Sequence, residues 1–419
     1  MELLLVIIGM QVFNKMKKLL IISGIILSLL AVTMALYFFL IKTGNNTLNG
    51  KKTSLIDFFP FGQENPTVEE NNGFVENENT EIQNEDFKQK LRLISRDPVS
   101  GFTFVSKNDG LYIRYVEKGT GHIYDVSTFS EKRDRISNKT ILNTQKVYFT
   151  NKGNSFVAQY LKDNNIVENN FIDILNSSST EDSILVKSLS PFIESVSSGQ
   201  DNGNLFYFIR RGSDSFGFIS KSPKYTNTQI WTDKLKQLIP QFINDNLITL
   251  TTKPNYLLFG YAYTLSPKGD FKQILGPVYG LTTKTDSFGE KMLFNETFPE
   301  FNLYSFDIKT DKVTLVSPKT FPEKCVFSLK EKNIAYCGVP EYKPEPDSLD
   351  NWYLGTIGFS DEIWKYDLKN NVSDNLINLS EQSGKVLDID EIYIDKENNF
   401  LIFKNKADGG SLWSFNLQE

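Results

Sequence analysis

From residue 88 to the C-terminus, apolar and polar positions alternate in short runs separated by clusters of Asn, Asp, Gly, Ser and Lys. Period-two alternation bounded by turn residues predicts half-buried β-strands, and no stretch sustains a helical period. One unit recurs: an aromatic-rich strand, an acidic or polar residue, an aliphatic, then a turn. It reads Ile123-Tyr124-Asp125-Val126, Phe171-Ile172-Asp173-Ile174, Ser305-Phe306-Asp307-Ile308, Lys365-Tyr366-Asp367-Leu368 and Ser414-Phe415-Asn416-Leu417. Weaker copies are Gly217-Phe218-Ile219-Ser220 and Ala262-Tyr263-Thr264-Leu265. With the third residue of each as anchor, the spacings are 48, 46, 45, 43, 60 and 49.

A period in the forties with several strands per repeat predicts an all-β, seven-bladed β-propeller rather than an open sandwich of similar strands, which lacks so long a period. The fifth repeat shows all four strands, at 280–284, 291–295, 302–308 and 312–316. The ends fit a closed ring. Only Leu417, Gln418 and Glu419 follow the last anchor, leaving that blade one strand short, and a spare strand, Lys90–Ser95, precedes blade one. The N-terminal strand is expected to complete blade seven, which removes exposed sheet edges.

The chain before residue 88 has a different pattern. Leu19 to Ile41 is 23 residues without a charge. At the helical rise this spans about 34 Å, enough for a hydrocarbon layer of about 30 Å. The run is long and ends in bulky Tyr37, Phe38, Phe39 and Leu40, so it reads as an uncleaved transmembrane signal anchor rather than a cleaved signal peptide. Lys15, Lys17 and Lys18 place residues 1–18 on the cytoplasmic side, although Lys42, Lys51 and Lys52 blunt that bias. Met16 resembles a translation start, which would make 1–15 a start-site artefact. Residues 42–87 carry no hydrophobic period, and from 53 to 87 there are nine acids and no base. That composition predicts a solvated, disordered acidic tether of about 37 Å root-mean-square reach. The expected organisation is therefore 1–18, anchor 19–41, tether 42–87 and propeller 88–419.

Charge and composition narrow the chemistry. Net charge is −6, and once the +5 of residues 1–52 and the −9 of 53–87 are set aside, the propeller carries about −2 with no basic block. Nucleic-acid binding needs concentrated Lys and Arg, so no nucleic-acid partner is expected. A single histidine, His122, excludes di-histidine metal motifs. It sits in a Gly-Thr-Gly turn, a poor place for a catalytic triad. Asp388, Asp390 and Glu391 lack the D-x-D-x-D-G pattern of a calcium loop. No cofactor, metal site or catalytic residue is predicted.

Cys325 and Cys337, the only cysteines, fall on the first two strands of blade six near opposite positions. In an extracytoplasmic compartment they are expected to form a disulfide; in a reducing one they would be two buried thiols.

Two turn-strand units, Phe149-Thr150-Asn151-Lys152-Gly153-Asn154-Ser155-Phe156-Val157 and Tyr393-Ile394-Asp395-Lys396-Glu397-Asn398-Asn399-Phe400-Leu401, are similar to the S-P-D-G-K-x-[IL] units of TolB-like and WD40-like propellers. With one anchor and an acidic tether, the arrangement resembles envelope proteins of small-genome uncultivated bacteria. The resemblance covers residues 88–419 and implies the fold and a bacterial cell-membrane location, single-pass, with the C-terminal domain extracytoplasmic. It implies no activity, because propellers serve as enzymes, receptors and assembly factors alike. Most blades depart from the strict Asp-Gly turn, and there is no Trp-Asp dipeptide.

The spacing of 60 exposes an insertion in blade six, Gly338 to Ser360. It lies on the face shared by the second-to-third-strand loops and the loops joining blades, where long loops carry binding residues. Its Tyr342, Asp350, Trp352 and Tyr353, with Arg211 and Lys253 from neighbouring loops, are the candidate binding residues, since aromatics beside charged groups suit a glycan or a peptide. The opposing reading is an insertion that caps the channel mouth. The leading functional expectation is a membrane-anchored scaffold, held through Leu19–Ile41, that binds an envelope protein or glycan without catalysis. The alternatives are an envelope polysaccharide hydrolase or lyase with channel-mouth carboxylates, and an accessory subunit of a secretion or pilus machine.

Overall fold

The computed structural model describes residues 89–418, apart from 138, 163–165, 176–183, 191, 200–202 and 222–225. The anchor (19–41) and tether (42–87) lie outside the described residues. Among those described, no helix is long and apolar enough to cross a membrane.

The described chain forms seven four-stranded antiparallel sheets arranged as a β-propeller. Blade one is Val99–Lys107, Gly110–Glu117, Ile123–Ser127 and Arg133–Ser137; blade two is Thr144–Thr150, Ser155–Lys162, Ile166–Ile174 and Ile184–Ser188. Blade three is Ile193–Ser198, Leu205–Arg211, Asp214–Lys221 and Thr226–Asp233; blade four is Leu238–Asn244, Leu247–Thr252, Phe259–Leu265 and Phe271–Tyr279. Blade five is Thr283–Thr285, Lys291–Glu296, Asn302–Asp307 and Lys312–Val316; blade six is Cys325–Phe327, Ile334–Pro340, Asp361–Asp367 and Val372–Asn378. Blade seven takes Ile389–Ile394, Phe400–Asn405 and Ser411–Asn416 from the C-terminus, and its outermost strand is Leu91–Ser95, with Leu93 opposite Trp413.

All seven anchors of the repeat lie on third strands, and two of their acids have a common job. Asp307 accepts the backbone N–H groups of Lys309 and Thr310, and Asp367 those of Lys369 and Asn370, so the carboxylate closes the turn into the fourth strand. In blade one the acid turns inward instead. Asp125 is fully buried and takes a bidentate pair from Arg114, with both N–O distances 2.7 Å.

Each strand buries alternate residues against opposite neighbours, and this stacks the blades. Phe156 and Ala158 pack toward blade one, Val157 toward blade three. Leu401 and Phe403 pack toward blade six, Ile402 toward blade one. Apolar clusters fill every junction: Ile123 with Phe156, Phe171 with Tyr207, Trp231 with Ile248, Ala262 with Met292, Leu293 with Ala335, Ile363 with Ile389, and Phe102 with Ile402. The last of these joins blade seven to blade one, so the hydrophobic ring has no open gap.

Cys325 and Cys337 occupy directly paired positions on the first two strands of blade six and form a disulfide. The insertion between Pro340 and Asp361 contains a short helix, Ser348–Leu354, over a separate apolar cluster of Phe301, Phe321, Leu349 and Phe359.

Candidate binding channel

The first strands of the blades surround a central channel of about 1300 Å³. Part of its lining is small and polar, as at Thr103, Ser197, Gln241 and Thr283, and part is apolar, as at Phe104, Ile239 and Phe242. At the end carrying the insertion it becomes charged and aromatic. Lys146 and Tyr148 come from blade two, Lys284 from blade five, Glu323 from the turn entering blade six, and Asp390, Glu391, Tyr393 and Lys404 from blade seven. The insertion helix adds Trp352 and Tyr353.

The helix is fastened on three sides. Asp350 accepts hydrogen bonds from the Asn255 side chain (2.7 Å) and the Tyr256 backbone N–H (3.1 Å), both in blade four. The Tyr353 hydroxyl donates to Glu323. Trp352, only 1% exposed, stacks on Phe321 with ring centroids 5.4 Å apart, and its indole N–H donates to Asp388 at 3.0 Å. Asp388 also meets the fully buried Lys324 ammonium, whose Nζ lies 2.5 Å from Asp388 and 2.6 Å from Asp361. Burial pushes the Asp361 carboxyl up to about 6 despite Lys324, and the Asp388 charge adds to the rise. This buried ionic cluster pins the cap to blades six and seven.

Two environments coexist within the charged end. Around Asp390 and Glu391 the carboxylates are neutralised: Lys404 Nζ is 2.9 Å from Asp390 and 3.3 Å from Glu391. Burial pushes the Asp390 carboxyl up, but Lys404, Lys406 and Lys146 together override it and hold it below the usual carboxylate range. The Lys404 ammonium is held up by the same pair against burial. Around Glu323 the partners are hydroxyls, from Tyr353 and from Thr282 at 2.9 Å. Burial raises the Glu323 carboxyl more than these donors lower it. Burial likewise lowers the Lys284 ammonium, although Glu391 and Glu323 both pull it up. Tyr353 exposes 44% of its surface, and with the channel around it burial and the Glu323 charge lift its hydroxyl well above the usual phenol value.

The six residues chosen from sequence separate here. Trp352 and Tyr353 line the channel, and Asp350 fixes the helix that carries them. Tyr342 is 81% exposed; Arg211 and Lys253 are also exposed, and none of the three belongs to the lining. His122 stays in its turn, its Nε2 2.7 Å from Arg135 and 3.1 Å from Thr140. Lys146, Lys284, Glu323 and Lys404 were not singled out by sequence. Their one signal is a charged residue in or just before an otherwise ordinary blade strand, as in Thr283-Lys284-Thr285.

Fold and site together define a seven-bladed β-propeller with a capped, charged channel. No family model and no curated protein sequence matches the chain. Among solved structures it is similar to an oligogalacturonate lyase in complex with manganese, at 10% identity and TM-score 0.51, covering 79% of this chain and 98% of that one. It is also similar to the oligogalacturonate lyase of Vibrio parahaemolyticus, at 10% identity and TM-score 0.54, covering 80% of this chain and 96% of that one. At that identity the likeness establishes the propeller and nothing finer. Among the described residues no group of three or more His, Cys, Asp or Glu is arranged to hold a metal ion.

Proposed function

We propose that this chain is a glycan-binding propeller of the bacterial cell envelope, with the saccharide held in the channel under the insertion helix. The observation that carries this reading is the gathering of Lys146, Lys284, Glu323, Tyr353, Asp390 and Lys404 in the lining of one channel. Donors, acceptors and aromatic rings sharing one concavity are what polyhydroxylated ligands require. The volume exceeds that of an ordinary small-ligand pocket and accommodates several sugar rings. The envelope location draws its support from the charge-free Leu19–Ile41 segment and the acidic stretch after it, which read as a single-pass anchor and a tether. The disulfide adds to it, because such bonds persist in oxidising compartments. A protein partner would engage the same face from outside, through Tyr342, Arg211 and Lys253.

Isothermal titration of the protein with defined hexasaccharides (chito-, cello-, xylo- and galacturono-oligomers and a hyaluronan hexamer) tests the reading. Saturable binding to at least one, weakened by Lys284→Ala, supports it. Binding to none overturns it. The hydrolase or lyase alternative draws on the same channel carboxylates, Glu323, Asp390 and Glu391.

A further inference from the structure

Three aromatic side chains form a strip at the insertion end of blades four and five. Phe259 and Tyr279 are directly paired across the outer two strands of blade four, with ring centroids 4.2 Å apart. Phe298, in the loop between the second and third strands of blade five, meets Tyr279 edge-on at 5.4 Å. Phe259 is 51% exposed and Phe298 48%, and Leu257 and Leu258 beside them are exposed as well. The matching loops 118–122, 212–213 and 406–410 of blades one, three and seven hold only Gly, Ala, Ser, Thr, Asp, Lys and His. Exposed aromatics are therefore not a general property of these loops, and a contiguous apolar patch of this kind marks a binding surface. The strip is also rigid. The Gly280 N–H donates to the Leu258 carbonyl at 3.0 Å, the Thr297 N–H to the Tyr279 carbonyl at 3.0 Å, and the Thr297 hydroxyl to the Tyr256 carbonyl at 2.7 Å.

The strip begins where the channel wall ends. Thr252 and Pro254, just before its first loop, and Leu281 and Thr282, just after Tyr279, belong to the channel lining. The Tyr256 N–H is bonded to Asp350, on the helix that carries Tyr353 into the channel. We infer that the strip is an outer subsite for the same saccharide: the channel holds one stretch of the chain, and the sugar rings that emerge from it lay their C–H faces on Phe259, Tyr279 and Phe298. The inference rests on the glycan-binding reading and specifies its ligand as a long chain rather than a mono- or disaccharide. A pyranose ring has apolar C–H faces and polar edges, so an aromatic surface takes the faces out of water while the edges stay wet. Because the rings are fixed before binding, little ordering is lost when a sugar settles on them.

The test titrates full-length protein in detergent with tetramers and octamers of the same five oligosaccharide series. The expected result is an octamer bound about tenfold or more tightly than the tetramer of its series. Phe259→Ala and Phe298→Ala should each cut that gain to about threefold or less, while the tetramer affinity and the thermal midpoint stay at the parent values. Phe298→Tyr should keep the full gain. Tetramer and octamer bound equally well by the parent overturn the outer subsite and leave the channel reading standing, as does a gain that survives both replacements. Equal weakening of the two lengths by Phe259→Ala also overturns it, since the ring would then act through the channel wall. Self-association that disappears in Phe298→Ala, or quenching by brominated lipid of a fluorophore on Phe298→Cys, without any effect of oligomer length, overturns it in favour of a second copy or a lipid surface. No binding of either length overturns the glycan reading itself, and the strip with it.

Discussion

Replacing Lys324 with Met should unfasten the cap from beneath. In the parent the Lys324 ammonium is sealed from solvent between Asp361 at 2.6 Å and Asp388 at 2.5 Å, with both carboxylates buried as deeply. Methionine fills most of the volume but leaves two carboxylates, one also bonded to Trp352, without a cation. Breaking a buried ion pair from one side costs about 3–5 kcal/mol, because the remaining charge has lost its water and gained nothing in return. The cost must depend on pH. Asp361 already binds its proton more tightly than an unfolded aspartate, with a folded value of about 6. A carboxyl raised in the folded state contributes stability that is complete below the unfolded value near 4 and is lost as pH climbs through the folded value. Without Lys324 the Asp361 carboxyl should rise further, so the variant should recover stability on acidification more than the parent does. Urea unfolding followed by tryptophan fluorescence at pH 7.5 and pH 5 measures this directly. A loss of about 3–5 kcal/mol at pH 7.5 that shrinks by at least about 1 kcal/mol at pH 5 is expected. A variant within about 1 kcal/mol of the parent at pH 7.5, or one equally weakened at both pH values, would refute the reasoning.

Three further outcomes follow from the same structure. Arg114→Lys keeps a charge beside buried Asp125 but loses the two-pronged 2.7 Å contact, so blade one should lose about 2–3 kcal/mol and Arg114→Ala more, as read by denaturant midpoints. Reduction of the Cys325–Cys337 bond, which spans 12 residues, should raise the intact mass by two hydrogen atoms and cost about 3 kcal/mol of stability by the loop-entropy relation. Full-length protein expressed in bacteria should stay with membranes through carbonate washing and leave with detergent, whereas a chain lacking 19–41 should not; equal behaviour of the two would remove the anchor from the account.

The fold was legible because its repeat has a local cause. An acid at the end of a third strand closes the next turn through its own side chain, as Asp307 and Asp367 do, so the signal recurs wherever the turn recurs. The disulfide was legible for a related reason: once two neighbouring strands are placed, Cys325 and Cys337 face each other. The site was less so. Trp352 reads as an exposed aromatic of a surface loop, and its burial is decided by Asp388 and Lys324, residues 36 and 28 positions away. Lys284 and Lys146 look like ordinary polar members of alternating strands, since nothing local says that their face of the sheet turns toward a channel. Glu323 is hidden in a three-residue turn whose importance comes from Tyr353, 30 residues on. Function here is assembled from loop-to-strand contacts between blades, and a local pattern cannot carry them.

The most direct measurement sets the channel against the outer surface of the cap. Titrating the parent, Lys284→Ala, Tyr353→Phe, Tyr342→Ala and Arg211→Ala with the hexasaccharide bound best by the parent separates them in one experiment. The channel account predicts a loss of about tenfold or more for the first two replacements, as expected when a buried polar contact is removed, and parent-like affinity for the last two. Affinity that falls with Tyr342 and Arg211 while Lys284 and Tyr353 prove dispensable would contradict it.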